Sequence, residues 1–287
     1  MSIKYRFLQF RELVFRNHKD IIYHTQQSWH VVNFNQPEPN IIFDYLKEGV
    51  IYLNQNVSPI LSTRGFIIKF AGVFIHQKPI VTPISYKNIS NGNCEVGDLL
   101  TLFLMLDRNK KVLYQSAFIS QAKKENRLDN RCQRFLYEES YEFEYLKGGC
   151  THNGSRRILP KIQHRHLGMN YLILDGSYSF TNPFIKLIPF NNSIKFLWGE
   201  TIFLMLSKLY GLMFRKTEPT NGKGWSRIIW DLINCTGRAA FRGQSRGSFL
   251  RNFLNRFNQD DEYFFQSESL EGGTSILFII AQDKEVK

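Results

Sequence analysis

Four polar side chains in the middle of the chain are of types that can hold a metal ion and stabilise negative charge. Glu95 and Asp98 precede a long apolar run, and Gln121 and Lys123 follow the next one. Carboxylate and carboxamide oxygens are ligands that hard divalent ions accept, and a lysine ammonium stabilises negative charge that develops beside it. This chemistry requires the four side chains to meet, so it depends on the segments that carry them.

Those segments have the pattern of a β-hairpin. Apolar runs at 99–106 and 112–119 flank a polar turn at 107–110. In a hairpin the start of one strand lies beside the end of its partner, so Asp98 is expected next to residues 121–123. The pattern therefore predicts that the acidic and the amide-plus-amine ends share one rim of a buried sheet.

Side-chain alternation refines this expectation. Gln121 and Lys123 are two positions apart in a predicted strand, so they should point to the same face, with Ala122 behind them. The expected cluster then contains two carboxylates, one carboxamide and one ammonium.

The motif resembles that of the PD-(D/E)XK restriction-endonuclease-like superfamily. The matching residues are Gly97-Asp98 at the start of one strand and Gln121-Ala122-Lys123 at the end of the next. The usual acid of the last motif is Gln121 here, as in the Q-x-K variant of the Mrr-like branch. The resemblance covers roughly residues 40–147, about a third of the chain. It implies an α/β (α+β) fold whose restriction-endonuclease-like core has a helix, a three-stranded antiparallel start, a second helix and a further strand.

The resemblance also implies an activity, namely metal-dependent hydrolysis of DNA phosphodiester bonds with Mg²⁺ or Mn²⁺. Asp98 would be the principal ligand, with the Gln121 carboxamide oxygen and the Ala122 carbonyl beside it, and Glu95 would bind directly or through water. Lys123 would orient the attacking water and stabilise developing negative charge. A neutral Gln121 lowers the negative charge of the site, which should weaken metal affinity and favour one ion over two.

The flanking sequence supplies elements in the order that this core requires. A helix is expected over 40–54 with Asn40 as its N-cap. Glu48 on this helix is either an additional site acid, as in some relatives of the fold, or a solvated surface residue, and the second interpretation is favoured. The other expected core elements are a strand over 65–75, a helix over 126–145 and a strand over 169–174.

The chain divides into three segments by composition. Residues 1–39 form an N-terminal segment that ends at Pro37 and Pro39, residues 40–175 form the nuclease-like core, and residues 176–287 form a C-terminal extension. The extension is expected to contain apolar helices at 197–215 and 224–241 and a terminal strand at 274–281.

A net charge of +12 favours a polyanionic partner. DNA is the expected partner, although RNA is not excluded. A basic but otherwise ordinary enzyme is the alternative interpretation of the charge, and a solvated helix face is the alternative for the C-terminal arginines. The candidate nucleic-acid contacts are Arg156, Arg157, Lys161, Arg165, Arg238, Arg242, Arg246 and Arg251.

Cysteine usage and hydropathy indicate a cytoplasmic protein. The four cysteines are scattered, which favours reduced thiols. The N-terminus lacks the pattern of a signal peptide, and the apolar run at 194–214 contains charges, so a buried helix is favoured over a membrane span. A zinc site from Cys150, His152, His164 and His166 would lack the usual ligand spacing, so a basic loop is preferred there.

The resemblance suggests a role in bacterial restriction or anti-phage defence, as a homo-oligomer or as a partner in a defence system. Two other functions fit the same sequence. One is a nuclease-like module that binds nucleic acid without cutting it, with Gln121 marking lost chemistry. The other is a basic protein-interaction module.

Overall fold

The chain forms two β-sheets surrounded by helices. A computed structural model describes residues 3–75, 79–85, 92–146, 151–240, 249–256, 263–266 and 273–285. Within these ranges, no helix combines the length and the apolar character that crossing a bilayer requires.

Thirteen strands lie in the described part of the chain. In chain order they are β1 (Phe66–Phe74), β2 (Ile80–Pro83), β3 (Cys94–Glu95), β4 (Leu99–Leu106), β5 (Val112–Lys123), β6 (Glu142–Tyr145), β7 (Arg156–Ile158), β8 (Met169–Ile173), β9 (Phe184–Leu187), β10 (Lys195–Leu197), β11 (Leu212–Met213), β12 (Phe264–Gln266) and β13 (Ser275–Asp283). The large mixed sheet has the order β10-β9-β8-β5-β4-β13-β1-β12, with β11 beside β5, and the small antiparallel sheet has the order β3-β2-β6-β7.

Helices cover both faces of the large sheet. They are α1 (Ile3–Arg16), α2 (His18–Gln27), α3 (Glu38–Asp44), α4 (Val50–Asn56), α5 (Ser58–Leu61), α6 (Arg131–Glu138), α7 (Ile162–Arg165), α8 (Trp198–Leu206), α9 (Trp225–Ala240) and α10 (Phe249–Arg256). A π-helical turn, Tyr45–Gly49, joins α3 to α4.

Two hydrophobic clusters lie on opposite faces of the large sheet. One packs α1 to α5 and α8 against the sheet. The other packs α6, α9, α10 and the small sheet against it, and we call this side the α6 face. The expected α/β class is therefore confirmed at the level of a mixed sheet between helical layers, while the restriction-endonuclease-like core stays a prediction.

The central hairpin forms as the sequence predicts. β4 and β5 pair antiparallel, with Leu99 opposite Ser120. The turn between them is built on Asp107, whose Oδ1 accepts hydrogen bonds from the backbone N–H groups of Asn109 and Lys111 at 2.9 and 2.8 Å. An Asp side chain that bonds to the backbone two residues further on is a common turn device.

The prediction that three neighbouring antiparallel strands open the core is wrong for the first of them. β1 does not pair with β4, because the C-terminal β13 lies between them, antiparallel to β1 and parallel to β4. Every residue of β13 is buried, which is typical of a central strand covered on both faces. Residues 40–175 therefore share their sheet with the segment assigned to the C-terminal extension.

The helix expected over 126–145 is also too long. α6 ends at Glu138, where Ser140 turns the chain: its N–H donates to the Phe135 carbonyl and its hydroxyl to the Glu142 carbonyl. The following residues form β6, in which Phe143 and Tyr145 are buried while their neighbours are half-buried. Alternation with a period of two indicates a strand rather than a helix.

The other expected elements agree to different extents. The strands over 65–75, 169–174 and 274–281 and the helix over 224–241 are confirmed within a few residues. The helix expected from Asn40 begins at Glu38, with Pro37 as its N-cap. The helix expected over 197–215 ends at Leu206, and the chain then turns through Lys208, which has a positive φ, into β11.

Candidate active site

Asp98 occupies the residue before the hairpin ladder begins. Its N–H donates to the Ser120 carbonyl at 3.0 Å, which places it beside the last residues of β5. Leu100 and Ile119 pack in the cluster on the α6 face. Because alternate residues share a face, Asp98, Gln121 and Lys123 lie on that same face.

Asp98 and Gln121 are in direct contact. The Asp98 Oδ2 atom accepts a short hydrogen bond from the Gln121 Nε2 atom and another from the Ala122 N–H at 2.7 Å. Gln121 is 2% exposed, and its Oε1 atom is buried without a hydrogen-bond partner. Buried amide oxygens are normally satisfied, so this open acceptor is an exception, while the amide nitrogen is the atom that faces Asp98.

The surroundings make the ionised form of Asp98 unfavourable. Burial is the largest cause that raises its pKa well above the usual value, and the charge of Glu95 raises it further. The Lys123 ammonium and the hydrogen bond from the Ala122 N–H act in the opposite direction. Asp98 therefore holds its proton to a higher pH than an ordinary aspartate, unless a cation binds beside it.

Gly97 lets the chain pass close to the end of β5. A Cβ atom at this position would lie 2.3 Å from Ile119 Cγ2 and 2.9 Å from Tyr137 Oη. The Tyr137 hydroxyl donates to the Val96 carbonyl at 2.8 Å, which fixes the segment that precedes Asp98. Close packing against Ile119 and Tyr137 therefore explains why the residue before Asp98 is a glycine.

Glu95 acts on Asp98 from a different sheet. It lies on β3, opposite Ile80 of β2, and it is half-buried. The charge of Glu95 raises the pKa of Asp98, because two ionised carboxylates repel each other.

Glu38 is an acid at this site that the sequence patterns did not single out. It is the first residue of α3, and its Oε1 atom accepts a hydrogen bond from the Lys124 N–H at 2.6 Å. Its charge also raises the pKa of Asp98. The first helix therefore places Glu38 beside the end of β5, while Glu48 lies at the surface in a half-exposed pair with Lys47, as the favoured interpretation expects. The sequence signal was an acid between Pro37 and Pro39, at the start of the helix.

A cleft of about 310 Å³ opens beside these residues. Lys123 is half-buried and lines the cleft next to Glu38. Two further cations that line it, Lys124 and Arg127, were not among the expected contacts. The cleft is lined by Glu38, Lys123, Lys124, Glu125, Arg127, Asp129, Asn130 and Gln133.

The donor atoms suit a hard divalent ion, although they are few. No group of three His, Cys, Asp or Glu side chains suited to a metal occurs among the described residues. Oxygen donors are nevertheless available from Asp98, from the unpartnered Gln121 Oε1 and from the Ala122 carbonyl. Strand geometry directs that carbonyl to the same edge as the N–H that meets Asp98. Mg²⁺ is commonly held by one or two carboxylates and retains several waters, so this set fits it.

Two of the expected nucleic-acid contacts are structural instead. Arg157 is buried, and its Nε atom donates to Asp231 Oδ2 at 2.5 Å. Arg165 is fully buried, its Nε atom donates to the Pro160 carbonyl at 3.1 Å, and burial lowers its pKa to about 10. Neither guanidinium is presented to solvent, so their assignment as DNA contacts is not supported, whereas Arg156 and Lys161 are exposed.

The four expected C-terminal arginine contacts do not form one group in the described structure. Arg238 is half-buried on α9, and Arg242 and Arg246 lie outside the described residues. Arg251 is exposed on α10 and lines a second cleft of about 500 Å³, together with Lys110, Lys111 and Lys216. This cleft lies at the turn end of the hairpin, whereas Asp98 lies at the other end. The rise per residue of an extended strand places the two ends about 25 Å apart.

No protein-family model, curated protein or solved structure matches this chain. Its function must therefore be inferred from its own residues.

Proposed function

We propose that this chain is a metal-dependent endonuclease that hydrolyses DNA phosphodiester bonds. One observation carries the proposal: Asp98 and Gln121 are in contact at the rim of the hairpin, and Lys123 lies on the same face and lines the adjoining cleft. An acid, a carboxamide oxygen and an ammonium in this arrangement can hold a cation and face a phosphate at the same time.

Each residue has a distinct role in the proposed reaction. Asp98, the Gln121 carboxamide oxygen and the Ala122 carbonyl would hold Mg²⁺ or Mn²⁺, and Glu95 would act on it through water. When bound, the ion would supply a nucleophilic water and stabilise the leaving oxygen. Lys123 orients the attacking water and stabilises the charge that develops at phosphorus. Gln121 must turn its amide so that Oε1 faces the ion, which ends its present hydrogen bond to Asp98.

The cleft presents cations and acids together. Lys124 and Arg127 line it beside Lys123, but Arg127 pairs with Glu125 and Asp129, so the cations that a DNA backbone would meet next to the proposed ion are Lys123 and Lys124. We propose bacterial restriction or anti-phage defence as the setting, with the chain acting in the cytoplasm as a homo-oligomer or with a defence partner.

Cleavage of supercoiled plasmid with Mg²⁺ or Mn²⁺ tests the proposal. Lys123→Met should lower the cleavage rate by at least about 100-fold, the lower range for loss of a group that stabilises transition-state charge. Lys47→Met is the matched control, because Lys47 is an exposed lysine on the π-helical turn, and this variant should cut as the unchanged protein does. Undiminished cleavage by Lys123→Met would show that the site is wrong.

A nucleic-acid-binding module without cleavage is the second candidate, and one observation favours it. Gln121 presents its amide nitrogen to Asp98, and the raised pKa of Asp98 favours a neutral, metal-free pair. Such a module would retain DNA with a steep dependence on salt and would not cut it with either metal. Retention of DNA that does not change between about 50 and 200 mM salt would exclude both candidates, because phosphate contacts release counterions.

A further inference from the structure

Two cysteines from different elements meet beside the candidate site. Cys94 lies on β3 and Cys132 in the first turn of α6, and their sulfur atoms are 3.1 Å apart. Each residue is 4% exposed, and both are free thiols. The protonated Cys132 thiol also lies 3.3 Å from the Gly92 carbonyl, to which it can donate.

We propose that Cys94 and Cys132 are a redox site that a hydroperoxide converts into a reversible disulfide joining β3 to α6. The sulfur atoms need to approach by only about 1 Å to reach the disulfide bond length of about 2.05 Å. The burial of both residues favours a small oxidant, so hydrogen peroxide is the reagent of the matching chemical class.

The reaction balances without any further reactant. The Cys132 thiolate attacks one peroxide oxygen, the O–O bond breaks, and a sulfenic acid and water form after proton transfer. The Cys94 sulfur then attacks the Cys132 sulfur, the S–O bond breaks, and a second water leaves. Each sulfur loses one electron and the peroxide gains two, so two thiols and one hydrogen peroxide give one disulfide and two waters.

The surroundings distinguish the roles of the two thiols. Cys132 lies in the first turn of α6, where the helix N-terminus favours a thiolate, whereas Cys94 lies on a strand. Cys132 is therefore the attacking thiol, and Cys94 resolves the sulfenic acid.

The disulfide would tie together two elements that frame the cleft. Cys94 precedes Glu95, and Cys132 precedes Gln133, which lines the cleft. The segment that directly follows β3 is already bonded to α6 through the hydrogen bond from Tyr137 to the Val96 carbonyl. An effect of oxidation on DNA cleavage rests on the proposed function, but formation of the disulfide does not.

Peptide mapping after hydrogen peroxide treatment tests the site without any nuclease assay. The full chain is treated with hydrogen peroxide, alkylated and digested without reductant. The expected product is a Cys94–Cys132 linked peptide, about 2 Da lighter than the sum of the two free peptides because two hydrogens are lost. Dithiothreitol should abolish it, and the oxidised chain should have a Tm higher by about 4–8 °C, as for a disulfide that closes a long loop.

Variants separate this pair from other cysteines. Cys132→Ser and Cys94→Ser should each lose the linked peptide and the gain in Tm. Cys235→Ser is the matched control, because Cys235 is equally buried but lies on α9, and it should retain both. Three results on the peroxide-treated chain without substitutions would overturn the proposal, and none depends on whether a variant folds. Both thiols could remain open to alkylation, Cys132 could be oxidised to sulfinic acid without forming a disulfide, or Cys94 could form a disulfide with another cysteine.

Discussion

Asp98 is a carboxyl group whose nearest side-chain partner is a neutral amide. Its pKa is raised mainly by burial, with a further contribution from Glu95, so its ionised form destabilises the fold when no cation is present. Because the folded state binds the proton more tightly than the unfolded state, the stability contributed by this group is present below pH 4. That stability is lost as the pH rises through the raised pKa.

Asp98→Asn should therefore stabilise the metal-free protein while it removes metal binding. We expect a Tm about 2 °C higher near pH 8, which corresponds to roughly 1 kcal/mol for a chain of this size, and no gain near pH 4. Thermal unfolding across this pH range measures the effect. The exposed Asp129→Asn serves as the control and should show no such pH dependence. A lower Tm for Asp98→Asn at pH 8 would contradict the assigned electrostatics.

Several features of the site follow from the sequence because they are local. The hairpin pattern alone places Asp98 beside Gln121 and puts Gln121 and Lys123 on one face. Two features do not follow from it. One is the direction of the Gln121 amide, whose nitrogen faces Asp98, and the other is the contribution of Glu38, which lies on a helix more than 80 residues upstream of Lys124.

At the scale of the elements, the approach of β4 to β5 depends on the residue before Asp98. Gly97→Ala would place a methyl group 2.3 Å from Ile119 Cγ2, so the two strands would have to separate locally. We expect a loss of about 1–3 kcal/mol in unfolding free energy, as is typical of overpacked sites, together with loss of cleavage. Urea denaturation measures the first effect.

Gly224→Ala is the control for this variant. A Cβ atom there meets no atom within 4 Å, and the residue directly precedes α9. Its unfolding free energy should stay within about 0.5 kcal/mol of that of the unchanged protein. Equal stability of Gly97→Ala and Gly224→Ala would show that the close approach at Gly97 is not required.

The errors at this scale arise where local and tertiary preferences differ. Residues 126–145 contain a helical spacing of apolar residues, but the period changes to two after Ser140, and β6 completes the small sheet with β2 and β7. The arginines 157 and 165 looked like a basic loop, because sequence does not show that Asp231 on α9 lies opposite Arg157.

At the scale of the whole molecule, a buried ion pair joins the first helix to the last strand. The Nε and Nη2 atoms of Arg6 donate to the Asp283 carboxylate at 2.9 and 2.8 Å, and the two residues are 1% and 0% exposed. The Asp283 carboxylate is the main cause that raises the pKa of Arg6. Because β13 lies between β1 and β4, this pair joins α1 to the end of an internal strand of the large sheet.

Arg6→Met should leave the Asp283 charge buried without its partner. The expected loss is about 3–5 kcal/mol in unfolding free energy, which is typical when one member of a buried pair is removed. Arg16→Met, which removes a half-exposed arginine from the same helix, should change it by less than about 0.5 kcal/mol. The double variant Arg6→Met, Asp283→Leu should recover part of the loss. If Arg6→Met lost no more unfolding free energy than Arg16→Met, the stabilising role of the buried ion pair would be contradicted.

The order of the large sheet could not be predicted from the sequence. Pairing of β13 with β4 joins Ser275 to Leu99 in parallel, and no local turn specifies such a contact. The apolar character of both strands indicates burial, but it is compatible with many neighbours.

Manganese binding tests the central claim most directly. A crystal of the protein soaked in MnCl₂ is expected to show an anomalous peak bonded to Asp98 and to Gln121 Oε1, with the Gln121 amide turned from its present orientation and Lys123 facing the ion's water shell. An unchanged Asp98–Gln121 hydrogen bond with no ion beside it, at manganese concentrations that saturate other sites in the crystal, would contradict the account.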